Sequence, residues 1–177
     1  MKRNDGARGK LEANVWKGAV SGLAGGLVAS FAMDQFQAVW IALASRGANG
    51  AAPGSGGPEQ EPATVKAASA VSEGLFGHDL TKAEKKVGGA AVHYAVGGLT
   101  GALYGAVAEV APAVAKGAGL PYGTAVWLVV DEGAVPALGL SKPVTEYPLS
   151  NHAYALASHF VFGLTTDLVR RGVRSAL

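Results

Sequence analysis

The sequence predicts an all-α integral membrane protein, a bundle of about four transmembrane helices. Hydrophobic residues make up 49% of the 177 residues and charged residues only 16%, whereas soluble domains average about a quarter charged. Four apolar stretches each approach or exceed the ~20 residues that a helix needs to cross ~30 Å of hydrocarbon. The length suits one domain, so we expect a single membrane domain over residues 1–177.

The four predicted spans follow a polar N-terminal arm, residues 1–14. The first covers 15–44, the second 87–115, the third 120–140 and the fourth 153–169. The fourth is near the short limit for a crossing helix.

Two prolines bear on the third span. Pro121 suits an early helical position, whereas Pro136, soon after Gly133, is predicted to kink or end the helix.

The connection between the first two spans divides into two parts. Residues 46–64 are rich in glycine and proline and are expected to be flexible. The part that follows has apolar residues at helical spacing, Val65, Ala68, Val71 and Leu75. It predicts either a short amphipathic helix at the membrane surface or an ordinary loop helix packed on the bundle.

Lysine and arginine near the span ends predict the orientation. With four spans, the N-terminal arm, the second loop and the tail share one side and carry nine of these residues, against six on the other side. Both termini are therefore expected in the cytoplasm.

Glycines recur every four residues on the first two spans. Such ridges let helix backbones approach closely inside a membrane, where the hydrophobic effect does not drive helices together and close packing must do so. They are expected to pack either within one protomer or across a homo-oligomer or larger membrane complex. The ridge residues are Gly18, Gly22 and Gly26, and Gly97, Gly101 and Gly105.

Seven ionisable residues lie within or at the ends of the spans. A charge at the centre of a membrane helix costs about 2.5–3.5 kcal/mol, so each needs a partner, a water-filled cavity or neutralisation. We call the set the buried polar track: Asp34, His93, Glu109, Asp131, Glu132, His159 and Asp167.

Spacing relates these residues to the glycine ridges. His93 and Glu109 continue the four-residue ladder of the second span, and His159 and Asp167 share a face of the fourth with His152 two turns earlier. Asp131 and Glu132 are adjacent, about 100° apart, so they cannot both face one partner unless the helix breaks.

The track has a functional and a structural interpretation. In the first, the carboxylates and histidines bind and pass protons. In the second, Asp34 and Asp131 pair with histidines or tyrosines to fix helix register, while Glu109 and Asp167 lie near the headgroups. A site for a lipid or small solute is a third interpretation.

Other chemistry finds little support, and no enzyme activity is expected. The sequence has no cysteine, lacks the His-x-x-x-His and Glu-x-x-His spacings of metal sites, and has neither a G-x-S-x-G elbow nor a P-loop lysine. No metal, cofactor or nucleic-acid partner is expected.

The sequence resembles the YagU family of small bacterial inner-membrane proteins. The resemblance rests on KGAVSGLAGGLVASFAMDQFQ, HYAVGGLTGALYGAVAE, YGTAVWLVVDEGAVPALGLS and HFVFGLTTDLVRR. It implies a multi-pass inner-membrane protein with a role in acid resistance, and it supplies no catalytic residues. Two hypotheses follow: acid resistance supported by the buried polar track, or an accessory subunit that docks on a partner complex through its glycine grooves.

Overall fold

The structure is a computed structural model that describes the backbone of residues 3–47 and 61–177, and the side chains of 14–45 and 61–177. Over these residues the protein is helical and has no strand. Its six α-helices are α1 (Arg3–Gly47), α2 (Ala63–Phe76), α3 (Lys82–Val110), α4 (Leu120–Val126), α5 (Val135–Ala137) and α6 (Leu149–Ala176). The all-α prediction is confirmed.

The long helices pack in alternating directions. In α1 and α3, Gly18 lies against Gly105 and Gly26 against Gly97, so these helices are antiparallel. The ring centroids of Trp40 in α1 and Tyr154 in α6 are 5.8 Å apart, at the end of the bundle opposite the C-terminus, so α6 also runs antiparallel to α1. The start of α1 and the end of α6 therefore lie at the same end of the bundle.

Helix boundaries differ from the predicted spans. α3, Lys82–Val110, begins and ends five residues before the predicted second span, 87–115. α1 begins at Arg3, so the helix runs through most of the predicted polar arm. α6 spans 28 residues, Leu149–Ala176, because polar and basic residues continue the helix beyond the apolar stretch 153–169. Most of the predicted flexible loop, 46–64, lies outside the described residues.

The third predicted span forms one continuous helical stretch, with no break at Gly133. α4, a π-helix at Trp127–Ala134 and α5 follow one another from Leu120 to Ala137. The helix ends one residue after Pro136, in line with the expected effect of that proline. A π-helix widens the turn and is frequent at functional sites.

α2 packs on the start of α3. A methyl group added to Gly88 would lie 2.9 Å from the Ala68 side chain, and one added to Gly89 would lie 2.6 Å from Val65. A capping box at Thr81, in which its hydroxyl and the Glu84 carboxylate each accept a backbone N–H, begins α3. The remaining apolar face of α2, including Leu75 and Phe76, is exposed.

The bundle places small and polar side chains inside and large apolar ones outside. Ser30, Ser158, Thr166 and Asp167 are fully buried, whereas Leu99 in α3 is 71% exposed. Outward-facing apolar side chains also include Leu23, Leu27, Phe31, Leu103, Leu164 and Leu168. Buried polar residues with exposed leucines reverse the usual distribution of soluble proteins.

Among the described residues one helix, at Asn14–Ser45, is long and apolar enough to cross a membrane by length and composition. The third helical stretch, from Leu120 to Ala137, is short for a membrane span.

Candidate functional site

Close glycine contacts set the distance between α1 and α3, the helices that carry Asp34 and His93. Gly22 and Gly101 meet so closely that a Cβ on either one would overlap the backbone of the other helix. Gly18 with Gly105, and Gly26 with Gly97, pack in the same close manner. The ridges predicted from sequence thus lie against each other within one protomer, and their close approach brings the next residues along α1 and α3 together.

A second glycine contact joins α4 to α6, and sequence reasoning did not identify it as a pair. Gly119 lies against Gly163, and Gly123 lies against the carbonyl of His159. Gly119 also has a φ of 80°, a backbone conformation that favours glycine. This contact fixes His159 beside the third helical stretch.

Asp34 and His93 form the first His–carboxylate pair. His93 Nε2 lies 3.2 Å from Asp34 Oδ1 and 3.4 Å from the Ser30 carbonyl oxygen. Tyr94 donates a hydrogen bond of 3.0 Å to Asp34 Oδ2. Both carboxylate oxygens of Asp34 therefore face proton donors on α3.

His159 and Asp131 form the second pair. His159 Nδ1 lies 2.8 Å from the Ala155 carbonyl oxygen. Since a carbonyl only accepts, Nδ1 holds a proton. Nε2 faces Asp131 Oδ2 at 3.8 Å.

We call these two pairs together the His–carboxylate cluster: Asp34, His93, Asp131 and His159. Each residue comes from a different one of the four long helical stretches. His159 is the buried member, with 7% of its side chain exposed, whereas the two aspartates are each 41% exposed. The cluster thus joins the bundle interior to its surface.

Glu132 has a separate histidine partner. His152 Nδ1 lies 2.7 Å from Glu132 Oε1, and Nε2 lies 3.1 Å from the Val144 carbonyl oxygen. The hydrogen bond to Glu132 is the main cause that raises the pKa of His152 above its ordinary value. In the π-helix, adjacent Asp131 and Glu132 thus reach different histidines, so no helix break is needed.

Glu109 and Asp167 form ion pairs with arginines of α6. These pairs lie toward the end of the bundle where α6 ends. Asp167 Oδ1 accepts hydrogen bonds from the Tyr104 hydroxyl at 2.9 Å and from Arg170 at 3.0 Å. The other oxygen, Oδ2, lies 2.7 Å from an Arg171 nitrogen, close enough for an ion pair although the alignment is poor for a hydrogen bond. These contacts make Asp167 a buried structural ion pair.

Glu109 accepts two hydrogen bonds from Arg174, at 2.8 and 3.1 Å. The pair joins the end of α3 to the end of α6 and ties both to the same end of the bundle.

An apolar layer separates the two ends of the track. Ala29, Met33 and Phe162 form the buried apolar cluster, with Tyr122 and Val126 packed against it. The seven residues predicted as one track therefore occupy three places: the His–carboxylate cluster, the Glu132–His152 pair and the arginine-paired Glu109 and Asp167.

Sequence reasoning expected histidine or tyrosine partners for Asp34 and Asp131, but it named no individual tyrosine, and it assigned no arginine as a carboxylate partner. Tyr94 and Tyr104 are hydrogen-bond donors to Asp34 and Asp167, but inside an apolar helix they resemble ordinary packing residues. Arg170, Arg171 and Arg174 marked the membrane orientation, and their carboxylate partners became evident only from the helix packing.

Within residues 14–45 and 61–177, no three or more histidine, cysteine or acidic side chains group as metal ligands. Imidazole and carboxylate side chains are groups that can accept and donate protons near neutral pH.

A protein-family model matches part of the sequence. Residues 74–168 match the model of a family described as a protein of unknown function (DUF1440). The match covers α3, the third helical stretch and most of α6. It includes every track residue except Asp34.

No curated protein and no solved structure matches the sequence. Since the family model covers more than half of the sequence, the protein belongs to the family of unknown function DUF1440.

Proposed function

We propose that the protein is a multi-pass inner-membrane protein that supports tolerance of acid by binding and exchanging protons at the His–carboxylate cluster. The observation that carries the proposal is the meeting of Asp34, His93, Asp131 and His159, one from each long helical stretch, as two His–carboxylate pairs. The resemblance to YagU proteins adds the expectation of acid resistance.

The distribution of side chains supports a membrane location with about four crossings. Leu99 and Phe31 face outward while Ser30, Ser158 and Thr166 are fully buried, a pattern suited to hydrocarbon outside and close small-residue packing inside. At 1.5 Å per residue, the 29 residues of α3 and the 28 of α6 each exceed the ~30 Å hydrocarbon thickness. The third helical stretch, from Leu120 to Ala137, approaches that thickness.

The proposed orientation places the cluster toward the outside of the cell. Along α1, Asp34 is closer in sequence to Ser45 than to Asn14, so it lies nearer the bundle end opposite the termini. With both termini in the cytoplasm, this is the periplasmic half, the side that meets external acid first.

Proton uptake would reduce the charge of the cluster in a medium that disfavours charge. With neutral histidines the two aspartates leave two uncompensated negative charges. With both histidines protonated, each carboxylate faces an imidazolium and the cluster is neutral. Because charge is costly inside a membrane, acid favours the protonated cluster without disrupting the bundle.

A second proposal, from a different class, is an accessory subunit that docks on a partner complex. The two glycine ridges lie against each other in this protein, so docking would use another surface. The exposed apolar face of α2, with Leu75 and Phe76, favours this possibility. Bulky polar changes there would release a co-purifying complex without affecting acid survival through the cluster.

Survival of acid shock tests the first proposal. Cells would express wild type, Asp34→Asn, Asp131→Asn or the control Glu73→Gln, which changes an exposed carboxylate of α2. We expect the two aspartate variants to accumulate normally in the membrane and to lose protection, while Glu73→Gln protects like wild type. Full protection by both aspartate variants would exclude the cluster as the functional site.

A further inference from the structure

A cavity of about 440 Å³ opens beside the Glu132–His152 pair, outside the His–carboxylate cluster. Trp127, Glu132, Thr145, Tyr147 and His152 are among its lining residues. It is shallow and open to its surroundings, so it suits a small group. The cavity lies where the π-helix faces the start of α6, at the bundle end opposite the termini.

The charge of the lining residues selects a cation. Glu132 is the one acidic side chain among them, and none of the described lining residues is lysine or arginine. With His152 neutral the cavity carries one negative charge, and with His152 protonated it carries none. An anionic ligand has no positive group to bind other than His152, which already contacts Glu132 at 2.7 Å.

The aromatic lining favours an organic ammonium ion over a metal ion. Indole and phenol rings attract ammonium groups through their π-faces, and tryptophan does so best. Trp127 and Tyr147 line the same cavity as the Glu132 carboxylate. Two side-chain ligands, Glu132 and His152, are fewer than metal sites in proteins use, which agrees with the absence of a metal-ligand group in the described residues.

We propose that this cavity binds a small organic ammonium group, held by the Glu132 carboxylate between Trp127 and Tyr147. The imidazolium of His152 is then the internal competitor of the ligand. When His152 loses its proton, the Glu132 carboxylate loses its positive partner and is free to pair with the ammonium group. The site does not depend on the function proposed for the cluster.

His152 makes the expected binding pH-dependent. The charged or titratable groups that contact it are Glu132 from the π-helix and Tyr147 from the preceding loop; the Val144 carbonyl oxygen lies against its other nitrogen. The pKa of His152 is raised, chiefly by the Glu132 hydrogen bond. Ammonium binding should therefore strengthen as the pH rises above the ordinary histidine value of about 6.5.

Titration calorimetry with tetramethylammonium tests the proposal, because this probe keeps its charge at every pH. Purified full-length protein in a nonionic detergent would be titrated at about pH 9 and about pH 5.5, on either side of histidine protonation, with NaCl as the reference salt. We expect saturable binding that is at least about tenfold tighter at the higher pH. Absence of saturable binding at the higher pH would overturn the proposal.

Three variants separate the site from non-specific effects. Glu132→Gln should abolish binding, whereas Glu146→Gln, a carboxylate of the same loop that does not line the cavity, should leave it unchanged. His152→Gln should bind with equal affinity at both pH values, because the competing imidazolium is gone. Binding that survives Glu132→Gln, or pH dependence that survives His152→Gln, would overturn the assignment.

Lipid nanodiscs distinguish two sources of the ammonium group. If a phospholipid headgroup occupies the site, tetramethylammonium should bind more weakly in phosphatidylethanolamine nanodiscs than in nanodiscs of an uncharged glycolipid, which lacks an ammonium group and does not attract the cationic probe to the membrane surface. If a free amine is the ligand, the affinity for tetramethylammonium should be equal in both. Either result supports the site and assigns its source.

Discussion

Replacement of Gly101 by alanine tests how closely α1 and α3 pack. The new methyl carbon would overlap the Gly22 carbonyl oxygen, its closest neighbour, and would lie 2.8 Å from Gly26 Cα and 2.9 Å from Gly26 N. These are backbone atoms, which cannot rotate away, and ordinary contact begins at 3.4 Å. The helices must therefore separate by more than half an ångström, from 2.8 to 3.4 Å at this point.

Two opposing effects determine the expected magnitude. Overpacking at a rigid contact costs about 1–3 kcal/mol, while alanine in place of a helical glycine contributes up to ~1 kcal/mol of stability. We expect a net loss of about 1–2 kcal/mol. Gly172 in α6 is the matched control, since an added methyl group there meets nothing within 4 Å, and its change to alanine should be neutral or stabilising by up to ~1 kcal/mol.

Both variants would be measured by unfolding in mixed micelles at increasing SDS fraction. The structure predicts that Gly101→Ala lowers the free energy of unfolding, whereas Gly172→Ala leaves it unchanged or raises it. Equal stability of the two variants, or a gain for Gly101→Ala, would refute the close contact between α1 and α3.

Three further outcomes are expected. Glu132→Gln should lower the pKa of His152, measured by NMR of the imidazole. Since the pKa of His152 is raised in the folded protein, the stability that this pair contributes is fully present below about pH 6.5 and is lost as the pH rises through the folded pKa. The free energy of unfolding of Glu132→Gln should not show this loss. Tyr104→Phe removes a hydrogen bond to buried Asp167 and should lower the free energy of unfolding by about 1–2 kcal/mol. Unchanged stability of this variant would contradict a structural role for the hydrogen bond. Thr81→Ala removes the N-cap of α3 and should cost about 1 kcal/mol, seen as earlier thermal loss of helical circular dichroism.

Composition and glycine spacing were enough to predict the helical class and the residues that approach most closely. Gly22 and Gly101 stand out because a four-residue repeat of small side chains has few other physical uses in an apolar helix. The sequence could not tell whether the ridges meet each other or another protomer, because spacing defines a face and not its partner.

The positions of the ionisable groups were predictable, but their partners were not. Asp34 and His93 lie on different spans, far apart in the sequence, so their pairing depends on helix order. The π-helix at Trp127–Ala134 gives Asp131 and Glu132 different partners, and nothing in the apolar pattern distinguishes it from an α-helix. The apolar layer of Ala29, Met33 and Phe162 also depends on packing, so one predicted track became separate sites.

Proton uptake by the purified protein tests the proposed role of the cluster most directly. Wild type, the Asp34→Asn, Asp131→Asn double variant and the control Glu73→Gln would be prepared at equal concentration in detergent with a pH-indicator dye, and an acid step from neutral pH would be imposed. We predict that wild type and Glu73→Gln take up more protons than the double variant. Equal uptake by all three proteins would contradict proton binding at the cluster and assign its aspartates to helix packing.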